Sequence, residues 1–237
     1  MRTNILAALL SITASLWCIS VQAQSVSYCL NYGSYVDGIW QSIDSLTRGH
    51  NDQEPRLVYK NGGYRFESGV EKIDRVISYN ILAIQYGKRL YVNCRNLRGK
   101  RDFVISDPTF AQGYRYDNDK LVVAVYHYNS TAFGVIIGPV PLFFSPGKPA
   151  QIEFTDDGVA PWISYDTMND FRCYLIDSVA NEEGHYIVTR LDDKFMEELL
   201  KDDQELLKRY KSVKKKKIRQ SASNILPILM DKGLVGE

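Results

Sequence analysis

The sequence predicts an α+β protein, with an antiparallel β-sheet body built from hairpins followed by a C-terminal segment of two to three helices. Three observations predict it. Short polar turns punctuate paired β-rich runs through most of the chain. Tyrosine is abundant, with 16 copies among 237 residues, and this residue favours strands and contact-rich surfaces over helices. From Leu191 onward, the apolar spacing changes to that of amphipathic helices.

The first 23 residues read as a signal peptide. Arg2 is positive, Ile5–Ile19 is apolar apart from Ser and Thr, and Val21-Gln22-Ala23 offers a cleavage site before Gln24. The apolar run falls short of the roughly 20 residues that span a bilayer as a helix. Trp17 before Cys18 disfavours lipidation of that cysteine, which normally follows small residues. The expected organisation is a signal peptide at 1–23, a β-rich domain at 24–190 and a helical segment at 191–237 packed on it. The expected location is outside the cytoplasm: periplasmic, outer-membrane-associated or secreted.

Tyr28–Leu46 reads as a turn or short helix followed by a strand, and Thr47–Pro55 as a loop. Arg56–Tyr59 and Tyr64–Glu67 flank Lys60-Asn61-Gly62-Gly63 as a hairpin. Ser68-Gly69-Val70-Glu71 has the form of a capping box before one helical turn carrying Ile73, Val76 and Ile77. The clearest hairpin is Ala83–Cys94, with Gly87 in first place of a primed two-residue turn. Its second strand alternates Leu90, Val92 and Cys94 with Tyr91, Asn93 and Arg95, so one apolar face and one polar face are expected. Asn96–Lys100 and Ser106–Pro108 read as loops.

Phe110–Tyr116 and Leu121–Tyr128 form a third hairpin, and the apolar run Leu121–Val125 suits a strand covered on both faces. Ala132–Phe144 is apolar but broken by Gly134, Gly138, Pro139 and Pro141. It reads as a segment packed on the core, with an exposed tongue for an envelope protein or membrane surface as the sharper alternative. A turn at Thr155–Gly158 follows, and Arg172–Asp177 with His185–Arg190 makes the last hairpin. In the tail, Asp192/Asp193 and Asp202/Asp203 are helix caps, Pro227 kinks or ends a helix, and Gly233 stops it.

The chemistry-bearing residues form no recognised set. Three cysteines remain after the leader, Cys29, Cys94 and Cys173, too few for a disulfide framework. Cys94 and Cys173 share parity with apolar neighbours and are expected to be buried. His50, His127 and His185 lie far apart, without metal-ligand spacing. No phosphate loop, nucleophile elbow or dinucleotide fingerprint occurs, and no cofactor is expected. Asp117/Asp119 and Asp156/Asp157 sit at turns, where Asp is favoured without any metal. The Lys214–Lys217 run reads as a solvated helix connection, and a net charge of +1 gives no argument for nucleic acid.

Leu90–Leu97 (Leu-Tyr-Val-Asn-Cys-Arg-Asn-Leu), Gly113–Val125 and the tail Leu191–Leu234 carry a family likeness. In the tail, the Leu-Leu, Leu-Leu-x-x-Tyr and Ile-Leu-Pro-Ile-Leu pieces contribute most. These stretches resemble a family of uncharacterised exported proteins of Bacteroidota, a domain of unknown function. The resemblance implies export and a β-rich body with a helical end, and it supplies no activity. The expected function is therefore non-enzymatic, by binding or structure in the cell envelope. The alternative is an envelope hydrolase with a site on the sheet around Cys94 and His127.

Overall fold

A computed structural model describes residues 26–43, 56–60, 63–95, 97–99, 110–117, 119–126, 163–176 and 184–236. In chain order these form β1 (Val26–Cys29), α1 (Tyr32–Val36), β2 (Gln41–Ser42), β3 (Arg56–Lys60), β4 (Gly63–Glu67), α2 (Glu71–Asn80), β5 (Ala83–Tyr86), β6 (Arg89–Asn93) and β7 (Leu97–Gly99). They continue as β8 (Phe110–Tyr116), β9 (Lys120–Tyr126), β10 (Phe171–Ile176), β11 (Tyr186–Arg190), α3 (Asp193–Leu199), α4 (Gln204–Ser212), α5 (Lys216–Arg219) and α6 (Ala222–Asp231), with a 3₁₀ turn at Tyr165–Thr167. The α+β class with a largely antiparallel sheet and C-terminal helices is the observed architecture.

The sheet closes on itself. Its strands run β2-β1-β5-β6-β8-β9-β10-β11-β7, and β7 follows β6 after only Cys94, Arg95 and Asn96. One bent strand, β6–β7, therefore pairs with β8 through its first half and with β11 through its second. In an antiparallel meander, neighbours alternate in direction, so a barrel of five staves must close with one parallel pair. That pair is β7 with β11, where Tyr186 meets Leu97 and Val188 meets Gly99.

The bend is held by one backbone bond and by side chains that bond to backbone. Leu97 N–H donates to the Cys94 carbonyl at 3.2 Å. Arg98 donates to the carbonyls of Arg95 and Leu97. Asn93 Nδ2 donates to the Ser78 and Ile81 carbonyls, both at 2.9 Å, tying the corner to the C-terminus of α2. These bonds supply partners to carbonyls that a helix end leaves open.

Alternation sorts the barrel residues into an inside and two outsides. Leu90, Val92, Cys94, Leu97, Ala111, Leu121, Val123, Val125, Tyr174, Ile176 and Val188 fill the interior. Tyr114, Val122, Ala124, Phe171, Cys173 and Leu175 face outward and are covered by Met196, Leu200, Tyr210, Ile225 and Leu229 of the C-terminal helices. A second outer layer places Ile73 and Ile77 of α2, with Tyr64 and Phe66 of β4, over Ile84, Tyr91 and Phe110.

That second layer changes the reading of the Ala83–Asn93 hairpin. Its turn is as expected, with Gly87 at φ 58° and Lys88 at negative φ, and Ala83 pairs with Val92. The strand is not half-exposed, however: Tyr91 and Asn93 are buried, because α2 and β4 cover the face that alternation alone assigned to solvent. The helix before it is also longer than one turn, running from Glu71 to Asn80. The expected capping box does not form: the N-cap is Val70, with no side-chain cap bond, and Ser68 donates its N–H and Oγ to Asp74 Oδ1 at 2.7 and 2.5 Å.

In the tail, Asp192 and Asp203 accept from Phe195 N–H and Leu206 N–H as N-caps. Pro227 lies inside α6 without ending it, since a proline there deprives only the carbonyl four residues back, that of Ser223. Gly233, at φ 73°, closes the helix. Its N–H bonds to the Met230 carbonyl and Leu234 N–H to that of Leu229, the paired pattern of a glycine C-terminal cap. Val235 then bridges to Tyr116 of β8.

Candidate functional site

The two ends of the barrel differ, and each offers something to solvent. At the first end, α1 acts as a plug. Asn31 caps the helix, its Oδ1 accepting from Ser34 N–H at 2.8 Å. Tyr32 and Tyr35 then point inward together. The Tyr32 hydroxyl donates to the Asp119 carbonyl at 2.7 Å, and Tyr35 to that of Lys120 at 3.3 Å. The Tyr186 hydroxyl accepts from Tyr32 N–H at 3.1 Å. A tyrosine suits this role because its ring adds to the apolar interior while its hydroxyl reaches carbonyls at the strand ends.

The outer side of the plug is apolar. Among the described residues, Leu30, Val36 and Ile39 are 42%, 49% and 54% exposed, all within one ten-residue stretch. Half-buried Trp40 packs edge-on to Tyr35 with ring centroids 6.4 Å apart. The Arg115 guanidinium lies 5.7 Å from the Tyr35 ring and 6.0 Å from the Trp40 ring, and it donates to Gln85 Oε1. Asn31, Asp37, Gln41 and Ser42 are exposed around this cluster. Apolar side chains with a polar rim, beside the two-residue edge strand β2, make a surface suited to contact.

At the opposite end stands Arg172, the second residue of β10. Alternation puts it on the inward face with Tyr174 and Ile176, opposite Val125. The residue is only 4% exposed. Nη1 donates to the carbonyls of Phe171 at 2.9 Å and Asn169 at 3.3 Å, while Nε is buried without a partner. Arg190 sits at the same rim, paired across the ladder with Tyr174 and donating Nη2 to Gln220 Oε1 at 3.1 Å. Burial first, and the positive charge of Arg190 second, lower the Arg172 pKa from its ordinary value. The adjacent carboxylate, Asp170, is engaged by Lys217 at 2.6 Å.

The thiols singled out from the sequence are structural. Cys94 lies inside the barrel, Cys173 under the C-terminal helices and Cys29 beside the α1 plug; all three are buried and free. Burial pushes the Cys29 thiol up to about 12 and raises those of Cys94 and Cys173 as well. A nucleophilic thiolate needs the reverse, a partly exposed and electropositive setting. His127 and His50 lie outside the described residues, as do Asp156, Asp157 and Ala132–Phe144. His185 Nε2 is 3.2 Å from Arg98 Nη2 at the β7–β11 seam. Asp117 is in the left-handed region of a tight turn, φ 46°. Among the described residues no group of His, Cys, Asp or Glu is arranged to hold a metal ion, and no helix is long and apolar enough to cross a membrane. Lys214–Lys217 is exposed, with Lys217 paired to Asp170.

Sequence reasoning missed both ends. Arg172 reads locally as the polar alternate of a strand, and the apolar outer side of α1 is too short to show a helical period.

A family model matches residues 27–233, and its description is a family of unknown function. No curated protein and no solved structure matches the chain.

Proposed function

The chain belongs to the family of unknown function DUF6563, and from that premise we propose that it is an exported, non-enzymatic protein of the cell envelope that works by binding. The observation that carries this reading is the outer side of the α1 plug. Leu30, Val36 and Ile39 stay in water although the same ten residues bury Tyr32 and Tyr35. Export rests on the Arg2, Ile5–Ile19 and Val21–Ala23 pattern and on the resemblance to exported proteins of Bacteroidota. Binding is favoured over thiol hydrolysis because the Cys94 sulfur is fully enclosed by interior residues.

The test has two parts. Mass spectrometry of protein from the envelope fraction is expected to find a mature N-terminus at Gln24; an intact Met1 in the cytoplasm overturns the export reading. A photo-crosslinking residue at Val36 or Ile39 is expected to capture one reproducible envelope component. The capture from Val36 should be lost in Ile39→Asp while the melting temperature is unchanged. Crosslinking that persists in Ile39→Asp, or no product from either site, overturns the surface.

A further inference from the structure

We propose that the barrel end opposite the α1 plug binds an oxyanion, a carboxylate or phosphate group, held by Arg172 with Arg190 as the second cation. A guanidinium has five N–H donors and always carries its charge. Arg172 is withdrawn from water and satisfies Nη1 with two carbonyls, yet Nε stays buried with no acceptor. Carbonyl dipoles do not neutralise a charge, and buried charges are normally paired. The neighbouring carboxylate, Asp170, is paired at 2.6 Å with Lys217, and Arg190 adds a second positive charge at the rim. Two cations thus lie on one strand pair, one of them buried with a free donor, and the carboxylate whose charge reaches Arg172, Asp170, is shared with Lys217.

Oxyanions fit this arrangement better than other ligands. A guanidinium edge presents parallel N–H groups that match two oxygens of a carboxylate or phosphate. The interior behind Arg172 is filled by Val123, Val125 and Tyr174, so the site takes a head group at the rim rather than a molecule within the barrel. This inference concerns the end away from α1, and its failure leaves the contact-surface reading untouched.

The test is a thermal melt of the protein titrated with sodium phosphate or sodium acetate, with ionic strength held constant by sodium chloride. The expected result is a saturable rise in Tm with at least one of the two salts over chloride alone. Phosphate alone, or acetate alone, identifies the head group. Arg172→Met is expected to abolish the rise, and Arg190→Gln to raise the half-saturating concentration about tenfold, as loss of a charge-assisted contact does. Should Arg172→Met fail to fold, Arg190→Gln decides the question by itself. No rise beyond chloride, an equal rise in Arg172→Met, or unchanged saturation in Arg190→Gln overturns the proposal.

Discussion

Gln112 pairs with Ile163 as one strand pairs with another, but through its side chain: Oε1 accepts from the Ile163 N–H at 2.7 Å and Nε2 donates to the Ile163 carbonyl at 3.0 Å. The Tyr64 hydroxyl donates to the same Oε1 at 2.5 Å. Gln112 therefore joins β8, β4 and the segment entering the 3₁₀ turn through one buried amide. Leucine in its place fills similar space but leaves a peptide N–H, a carbonyl and a hydroxyl without partners. Gln112→Leu is expected to lower stability by about 2–4 kcal/mol, whereas Tyr64→Phe, which leaves Gln112 bonded to Ile163, should cost about 1 kcal/mol. Urea midpoints at unchanged slope check both.

Gly113 is required by crowding inside the barrel. A Cβ there would stand 2.6 Å from Val92 Cγ2 and 3.3 Å from Leu90 Cγ, and the branched Val92 has little freedom to move aside. Gly113→Ala is expected to destabilise by about 1–3 kcal/mol. Val92→Ala should offset part of that loss when the two are combined. A double-mutant cycle from denaturant melts gives the coupling, and strict additivity would contradict the packing account.

Asp193 anchors the helical tail. Its carboxylate receives Arg219 Nε and Nη2, both at 2.9 Å, and the Tyr210 hydroxyl at 2.8 Å. The Arg219 contact above all holds the carboxyl down to about 2, from an ordinary value of 3.8. A carboxyl depressed in the folded state stabilises above its unfolded value and loses that contribution as pH falls through the folded one. The window is therefore between about pH 4 and pH 2. With both side chains partly open to water, Asp193→Asn should cost about 1–2 kcal/mol at pH 7. Denaturant melts from pH 7 to pH 2 should show the wild type and variant converging at the acid end.

The thiols give a fourth prediction. Native protein at pH 8 is expected to resist iodoacetamide at Cys29, Cys94 and Cys173, with all three labelled once urea is added. Their raised pKa values mean that stability is unaffected by thiol ionisation below pH 9 and declines above it, through about pH 12 for Cys29. Labelling of native Cys94 at the rate of an open thiol would restore the case for a nucleophile.

The hairpins were legible because turn chemistry is local: Gly87-Lys88, Asn61-Gly62 and Asp117–Asp119 each mark their own reversal. Burial of Cys94 and Cys173 followed from strand parity. β7 was not legible. Leu97–Gly99 is three residues long with Arg98 at its centre, and it is a strand only because β11 lies beside it. For the same reason, nothing local announced that the sheet closes or that Tyr91 is covered. Arg172 looks like any polar alternate until closure turns its face inward, and Leu30, Val36 and Ile39 lie in and beside a helix too brief to reveal a face.

Closure by β7 and β11 also sets a timetable. Leu97 must meet Tyr186 across about ninety residues of intervening chain, and pairings so distant are slow to form because loop closure precedes their reward. A chain growing from its N-terminus can make the Ala83–Asn93 hairpin at once, but it cannot seal the barrel until Arg190 has been synthesised. The barrel is thus held open until late, and a truncation before Tyr186 leaves β10 and β7 as unsealed edges.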